Sequence, residues 1–162
     1  MILPTVLPDM RRRKSFFLLK ASRTELEMIL AVERSAFGSP WGQANILTEL
    51  ENDLSLNFIA LSMNKRKALG YICARVIDRE GEILRIAVIP EARRMGVGLE
   101  LLQKIVKTLV QRKVATLYLE VAENNTAALI LYKANDFLEY GFRPGYYDAG
   151  KTGAKLLRKE LS

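Results

Sequence analysis

The apolar residues of this chain change period at Pro90. From Glu82 to Ile89 the chain reads Glu-Ile-Leu-Arg-Ile-Ala-Val-Ile, rich in β-branched residues and suited to a buried strand. From Gly98 to Arg112, the residues Leu101, Leu102, Ile105, Val106, Leu109 and Val110 fall on one stripe of an amphipathic helix. Between them runs a short basic loop, Pro90-Glu91-Ala92-Arg93-Arg94-Met95-Gly96-Val97-Gly98. The first amides of a helix lack partners inside it and the helix dipole is positive there, so a strand, a glycine-bearing loop and a strong helix together suit an anion. Glycines let the backbone close on a phosphate with no Cβ in the way, and Arg93 and Arg94 add charge at the rim. Taken alone, the same string also describes a plain turn into a helix.

The rest of the chain reads as a single mixed α/β pattern. Upstream, Phe16–Lys20 is a first strand. Ser22-Arg23-Thr24-Glu25 has the spacing of a capping box before a helix carrying Leu26, Ile29, Leu30 and Glu33. Phe37-Gly38-Ser39-Pro40 ends that helix, and Gln43–Asn52 forms a second. Leu54–Met63 and Ala68–Ile77 are strands joined by a turn at Asn64-Lys65. Downstream, Val114–Val121 is a strand and Asn124-Asn125-Thr126 caps a helix running to Ala134. Leu138–Arg143 and Ala154–Leu161 close the chain around a turn spanning Gly145–Gly153. One domain over 15–162 is expected, with 1–14 a loose extension, which matches a length of 162 residues.

Composition excludes several kinds of chemistry. The chain has no histidine, which removes Ser-His-Asp triads, Cys-His pairs and His-ligated zinc together. Its one cysteine, Cys73, lies mid-strand without a basic partner, so neither a disulfide framework, a metal cluster nor an acyl-cysteine is expected. Catalysis must come from carboxylates, tyrosines, lysines or backbone amides, with no metal. The run Arg11-Arg12-Arg13-Lys14 precedes apolar residues, but Lys20 and Arg23 break the stretch a signal peptide needs. No apolar run approaches the ~20 residues that span a bilayer. A soluble, cytoplasmic protein, monomeric or weakly dimeric, is expected. The net charge of +7 suits an anionic cofactor or a polyanionic partner, and equally an ordinary soluble protein of high pI. No direct role on nucleic acid is expected.

Other phosphate loops fit less well. A Walker loop needs Gly-Lys-Ser/Thr, which does not follow. A dinucleotide fingerprint needs a third glycine where Leu101 stands, and a first glycine directly after the strand, where Pro90–Met95 intervene.

The loop instead resembles the coenzyme A motif of the GNAT acetyltransferases, R/Q-x-x-G-x-G/A, met here as Arg93-x-x-Gly96-x-Gly98 after Ile86-Ala87-Val88-x-Pro90. Further segments are similar to the RimI-like ribosomal-protein-alanine N-acetyltransferases within that superfamily. They are Phe37 with Pro40-Trp41, Leu119-Glu120-Val121, Asn125-x-x-Ala128-x-x-Leu131-Tyr132, Phe137, and Gly141-x-Arg143-x-x-Tyr146-Tyr147. The resemblance implies the GNAT acyl-CoA N-acyltransferase fold, a mixed, mostly antiparallel central sheet flanked by helices. It implies acetyl-CoA as the acetyl donor and an amine as acceptor. That amine would be the N-terminal α-amine of a protein such as a small-subunit ribosomal protein. A lysine side chain, a polyamine or a small-molecule amine is the alternative acceptor, and a non-catalytic CoA-binding module a third reading.

The resemblance also assigns roles. Glu120 becomes the proton acceptor and Tyr132 the proton donor. Read from the residues alone, Glu120 is either a strand-end surface acid or a carboxylate at the end of an apolar strand, where partial desolvation suits a base. Tyr132 alone reads as a core aromatic on the short helix. Ile86, Ala87 and Val88 would offer backbone groups to the pantetheine arm, with an amide near Val88 facing the carbonyl oxygen. Arg94 through Leu99 would line the pyrophosphate, Met95 and Val97 by their N–H groups alone, and Asn125 would bond the cofactor arm or cap its helix. Trp41, Tyr146 and Tyr147 would face the acceptor, or else serve packing. The branch carries glycine just before the phenylalanine at 137, where this chain has Asp136. A shift of the left-handed cap onto Asn135 is one expected consequence.

Overall fold

The computed structural model of the protein describes residues 14–64 and 66–161. Apart from Lys14, the extension expected over 1–14 lies outside the described residues, as do Lys65 of the hairpin turn and Ser162. The elements follow in the expected order: β1 (Phe16–Lys20), α1 (Leu26–Ala36), α2 (Gln43–Leu50), β2 (Ser55–Ser62), β3 (Ala68–Ile77) and β4 (Glu80–Val88), then α3 (Val97–Gln111), β5 (Thr116–Ala122), α4 (Thr126–Ala134), β6 (Leu138–Tyr147) and β7 (Thr152–Glu160). The capping box at Ser22 is formed, with the Glu25 carboxylate accepting from the Ser22 N–H at 2.7 Å. It caps a 3-10 turn that leads into α1.

The strands form one sheet in the order β1-β2-β3-β4-β5-β7-β6. Every neighbouring pair is antiparallel except β4 and β5. That mixed, mostly antiparallel sheet is the expected architecture. Alternation along β3 decides which helix covers which face. Tyr71 and Arg75 reach Glu33 of α1 and Glu49 of α2. Gly70 points the other way, where a Cβ would stand 3.1 Å from Val97 of α3. So α1 and α2 cover one face and α3 the other. The α3 stripe of Leu101, Leu102, Ile105 and Leu109 is completely buried.

Two irregularities set up the functional region. β4 runs beside β5 only from Glu80 to Ile83, opposite Thr116 to Leu119. A bulge then follows, because Ala74 faces Ile83 while Cys73 faces Arg85, leaving Leu84 as the extra residue. Beyond it β4 stays paired to β3 as far as Val88 but parts from β5, opening a wedge between the two parallel strands. The second irregularity lies at the chain's end. The turn expected over Gly145–Gly153 is shorter than its glycines suggest. β6 continues through Tyr147, which pairs with Thr152 across a register shift, so Tyr146 and Tyr147 are strand residues.

Candidate active site

The wedge opens into a groove of about 480 Å³. β4 contributes Ile83 to Ile86, β5 contributes Leu119 to Ala122, α4 and its cap contribute Asn125, Ala128 and Tyr132, and Tyr147 and Asp148 close the far side. Phe37, Gly38 and Ser39, from the loop between α1 and α2, form the remaining wall. Of the residues singled out from sequence, Ile86, Glu120, Asn125, Tyr132 and Tyr147 thus meet in one place.

Glu120 stands where β5 leaves β4. Its carboxylate lies 3.3 Å from an Arg143 Nη and its side chain is 23% exposed, so it reaches solvent without being a free surface acid. It also borders a second cavity of about 380 Å³, lined by Glu82, Tyr118, Tyr140 and Arg143. The carboxylate therefore sits between two openings. Tyr132 is 3% exposed, and among the described residues its hydroxyl makes no hydrogen bond. Burial, and behind it the nearby Tyr147, push its phenol above the usual range, so it keeps its proton at neutral pH. Burial and then Glu120 likewise raise Tyr147.

Local structure explains how Tyr132 is held. After α4, Asp136 takes the left-handed conformation (φ 64°) while Asn135 does not (φ −110°), so the cap has not shifted to Asn135. The Phe137 N–H donates to the Tyr132 carbonyl at 3.1 Å and the Asp136 N–H to the Lys133 carbonyl at 3.2 Å, a Schellman motif. The Phe137 ring lies 5.4 Å from that of Tyr132, centroid to centroid, which fixes the phenol from behind.

The basic loop lies at the end of β4 rather than in the groove. Gly96 is the N-cap of α3 with φ 83°, and no side chain caps that helix. Arg93, Arg94, Met95, Gly96 and Leu99 are exposed, and Val97 is buried at 1%. A Cβ at Gly96 would meet nothing within 4 Å, whereas one at Gly98 would touch Leu131 and Val88 at 3.7 Å. Open space therefore adjoins uncapped amides and two arginines, a fit for a diphosphate. From there the free edge of β4, including Ile86, Ala87 and Val88, leads down into the wedge. Ala87 itself is 4% exposed and stands opposite Tyr71 of β3. The Asn125 Oδ1 accepts from the Ala128 N–H at 3.2 Å, which caps α4, and its Nδ2 makes no hydrogen bond among the described residues.

Two of the residues expected to face the acceptor stand apart from the groove lining. Trp41 is half-buried, its main-chain N–H donating to the Glu33 carboxylate at 2.7 Å and its ring 5.2 Å from the Arg85 guanidinium. Tyr146 is 51% exposed, edge-on to Tyr147 at 4.9 Å and under Arg143 at 5.6 Å. The sequence reading missed the Glu33–Arg85 pair and the link from Arg143 to Glu120. The one available signal for the first was an acid on the apolar stripe of α1. Burial pushes the Cys73 thiol up to about 12, with the Glu49 charge adding to the rise, so it is an inert core residue.

Comparison with known proteins agrees with this geometry. The Acetyltransferase (GNAT) family profile matches residues 26–137. The [ribosomal protein bS18]-alanine N-acetyltransferase of Escherichia coli K12 is 36% identical over 141 residues, covering 86% of this chain and 93% of that one. The crystal structure of the Escherichia coli ribosomal-protein-S18-alanine N-acetyltransferase superposes with a TM-score of 0.84 at 29% identity, over 91% of this chain and 94% of that one. Arabidopsis thaliana NAA60 in complex with acetyl-CoA shares the fold, with a TM-score of 0.79 at 17% identity over 90% and 98% of the two chains. With the profile spanning the wedge, the basic loop and the Tyr132 helix alike, the chain belongs to the GNAT family of acetyltransferases.

Proposed function

We propose that this N-acetyltransferase moves the acetyl group of acetyl-CoA to the N-terminal α-amine of a protein, a small-subunit ribosomal protein being the acceptor its relatives suggest. The single observation behind this reading is that Glu120 and Tyr132 line one groove at the mouth of a strand wedge. The basic loop before α3 follows the C-terminal end of β4, the strand whose unpaired edge runs into that groove. Acetyl-CoA supplies an activated acyl group as a thioester. The uncapped amides at the start of α3, with Arg93 and Arg94, hold its diphosphate. The free edge of β4 from Ile86 to Val88 holds its arm by strand addition, with the Asn125 Nδ2 as a further donor.

Glu120 accepts the proton of the attacking amine, directly or through one water, and its place between two openings lets the amine reach it. An α-amine titrates near ~8, so the base need not be strong. A main-chain amide near Val88 stabilises charge on the carbonyl oxygen. Tyr132, protonated and otherwise unbonded, gives its proton to the departing thiolate. The proton gained at Glu120 and the one lost from Tyr132 then exchange through solvent.

Thiol release from acetyl-CoA tests the reading, using alanine-initiated peptides, the same peptides with blocked lysines, and polyamines. Release that survives lysine blocking and ends on α-amine-acetylated product is the expected result. Product found only at ε-amines or on polyamines would move the enzyme to the alternative acceptor class. No release with any amine would leave a CoA-binding module.

A further inference from the structure

Glu33 is a carboxylate with no exposed surface on the sheet side of α1. It accepts from the Tyr71 hydroxyl at 2.5 Å, the Trp41 N–H at 2.7 Å, and Arg85 Nε and Nη2 at 2.9 and 2.8 Å. A buried ion pair gives little net stability over apolar residues of the same volume, so its position is the informative part. Arg85 lines the groove, and its guanidinium lies 3.7 Å from the Phe37 ring centroid. One Nη contacts the Ser39 carbonyl at 3.4 Å. Among the described residues, the backbone of 38–41 makes hydrogen bonds only to Glu33 and Arg85. At the start of the loop the Phe37 N–H donates to the Glu33 main-chain carbonyl at 3.0 Å, so among the described residues its polar anchors converge on Glu33 and Arg85.

The bulge at Leu84 makes this contact possible. Were Leu84 paired in a regular ladder, Arg85 would share the face of Gly81 and Ile83, toward α3. With the bulge, Arg85 stands opposite Cys73 on the α1 face. The distortion that parts β4 from β5 thus also aims the arginine at Glu33.

We propose that Glu33 and Arg85 are positioning residues that hold the 37–41 loop as the acceptor-side wall of the groove. Its kinetic consequence rests on the acetyl-transfer reading above, but its structural consequence does not. Trp41 is the only tryptophan in the chain, so its emission reports this loop directly.

Three variants test the proposal: Arg85→Met, Arg85→Lys, and the double variant Glu33→Gln/Arg85→Met. The double variant leaves no unpaired buried charge, so it keeps the test open should Arg85→Met fail to fold. In folded protein, loss of the pair is expected to red-shift Trp41 emission and raise acrylamide quenching at least twofold. The KM for peptide is expected to rise at least tenfold, with that for acetyl-CoA within twofold, and Arg85→Lys to recover part of the peptide effect. Unchanged emission and quenching in the folded double variant would overturn the proposal, as would peptide and acetyl-CoA KM values rising together. Wild-type protein releasing no thiol with any amine would remove the acetyl-transfer reading alone, and Trp41 emission would still decide the positioning role.

Discussion

Asp136 holds a left-handed conformation that costs most residues about 1 kcal/mol and glycine almost nothing. Among the described residues its one ion pair is with Lys159 at 3.3 Å, and its side chain is 89% exposed, so little is lost with the carboxylate. Asp136→Gly should therefore raise stability by up to about 1 kcal/mol, read as a melting temperature higher by ~2–4 °C. A lower melting temperature would mean that aspartate contributes through a contact beyond this pair. Glu120 and Tyr132 belong to the same scale. Glu120→Gln and Tyr132→Phe should each lower kcat by ~10²-fold or more while acetyl-CoA still binds, since each removes one proton transfer. An unchanged kcat in Glu120→Gln would remove Glu120 as the base. The motifs made both residues visible in the sequence, but the partners of Glu120 and the Schellman lock behind Tyr132 were not, because each depends on chain returning from elsewhere.

At the scale of elements, the strand, loop and helix around Pro90 were legible because each period is local: alternation on β4 and a 3.6-residue stripe on α3. The loop's chemistry resides in uncapped amides and in the left-handed Gly96. A side chain at 96 meets no neighbour, but the left-handed backbone there (φ 83°) costs a non-glycine residue about 1 kcal/mol, so Gly96→Asp should lower stability modestly and keep the fold. It should weaken acetyl-CoA binding at least tenfold, because its carboxylate competes for the amides and repels the diphosphate. Equal affinities by calorimetry would show that the diphosphate binds elsewhere. The bulge at Leu84 had no signal in the sequence. Leu-Arg-Ile-Ala-Val alternates no differently with or without one extra residue, and only pairing to β3 reveals the slip. For the same reason β6 ran past its expected end: Pro144 and Gly145 mark a turn locally, but β7 pairs with Tyr147 across them.

Across the whole molecule, the face carrying α1 and α2 is tied to the sheet by two carboxylate–arginine pairs, Glu33 with Arg85 and Glu49 with Arg75. Burial alone would push the Glu33 carboxyl up, but hydrogen bonds from Arg85, Tyr71 and the Trp41 N–H outweigh it and hold the group below the usual carboxylate range. Since its folded value is depressed, its stabilisation is present in full above the ordinary carboxylate range and is lost as pH falls through the lowered value. Denaturant midpoints should therefore fall on acidification below about pH 4, and less steeply in the Glu33→Gln/Arg85→Met variant. Parallel pH curves for the two proteins would mean that Glu33 does not carry the acid response. No helix among the described residues is long and apolar enough to cross a membrane. What the sequence determined by itself was the order of the elements, the basic glycine-bearing loop before α3 and the family of the chain, since periodicity, glycine spacing and caps act within a few residues. What only the tertiary structure decided was which side chains share the groove, how the wedge opens and which face Arg85 takes. Those depend on strand register and on a single extra residue, and contacts between distant segments fix both.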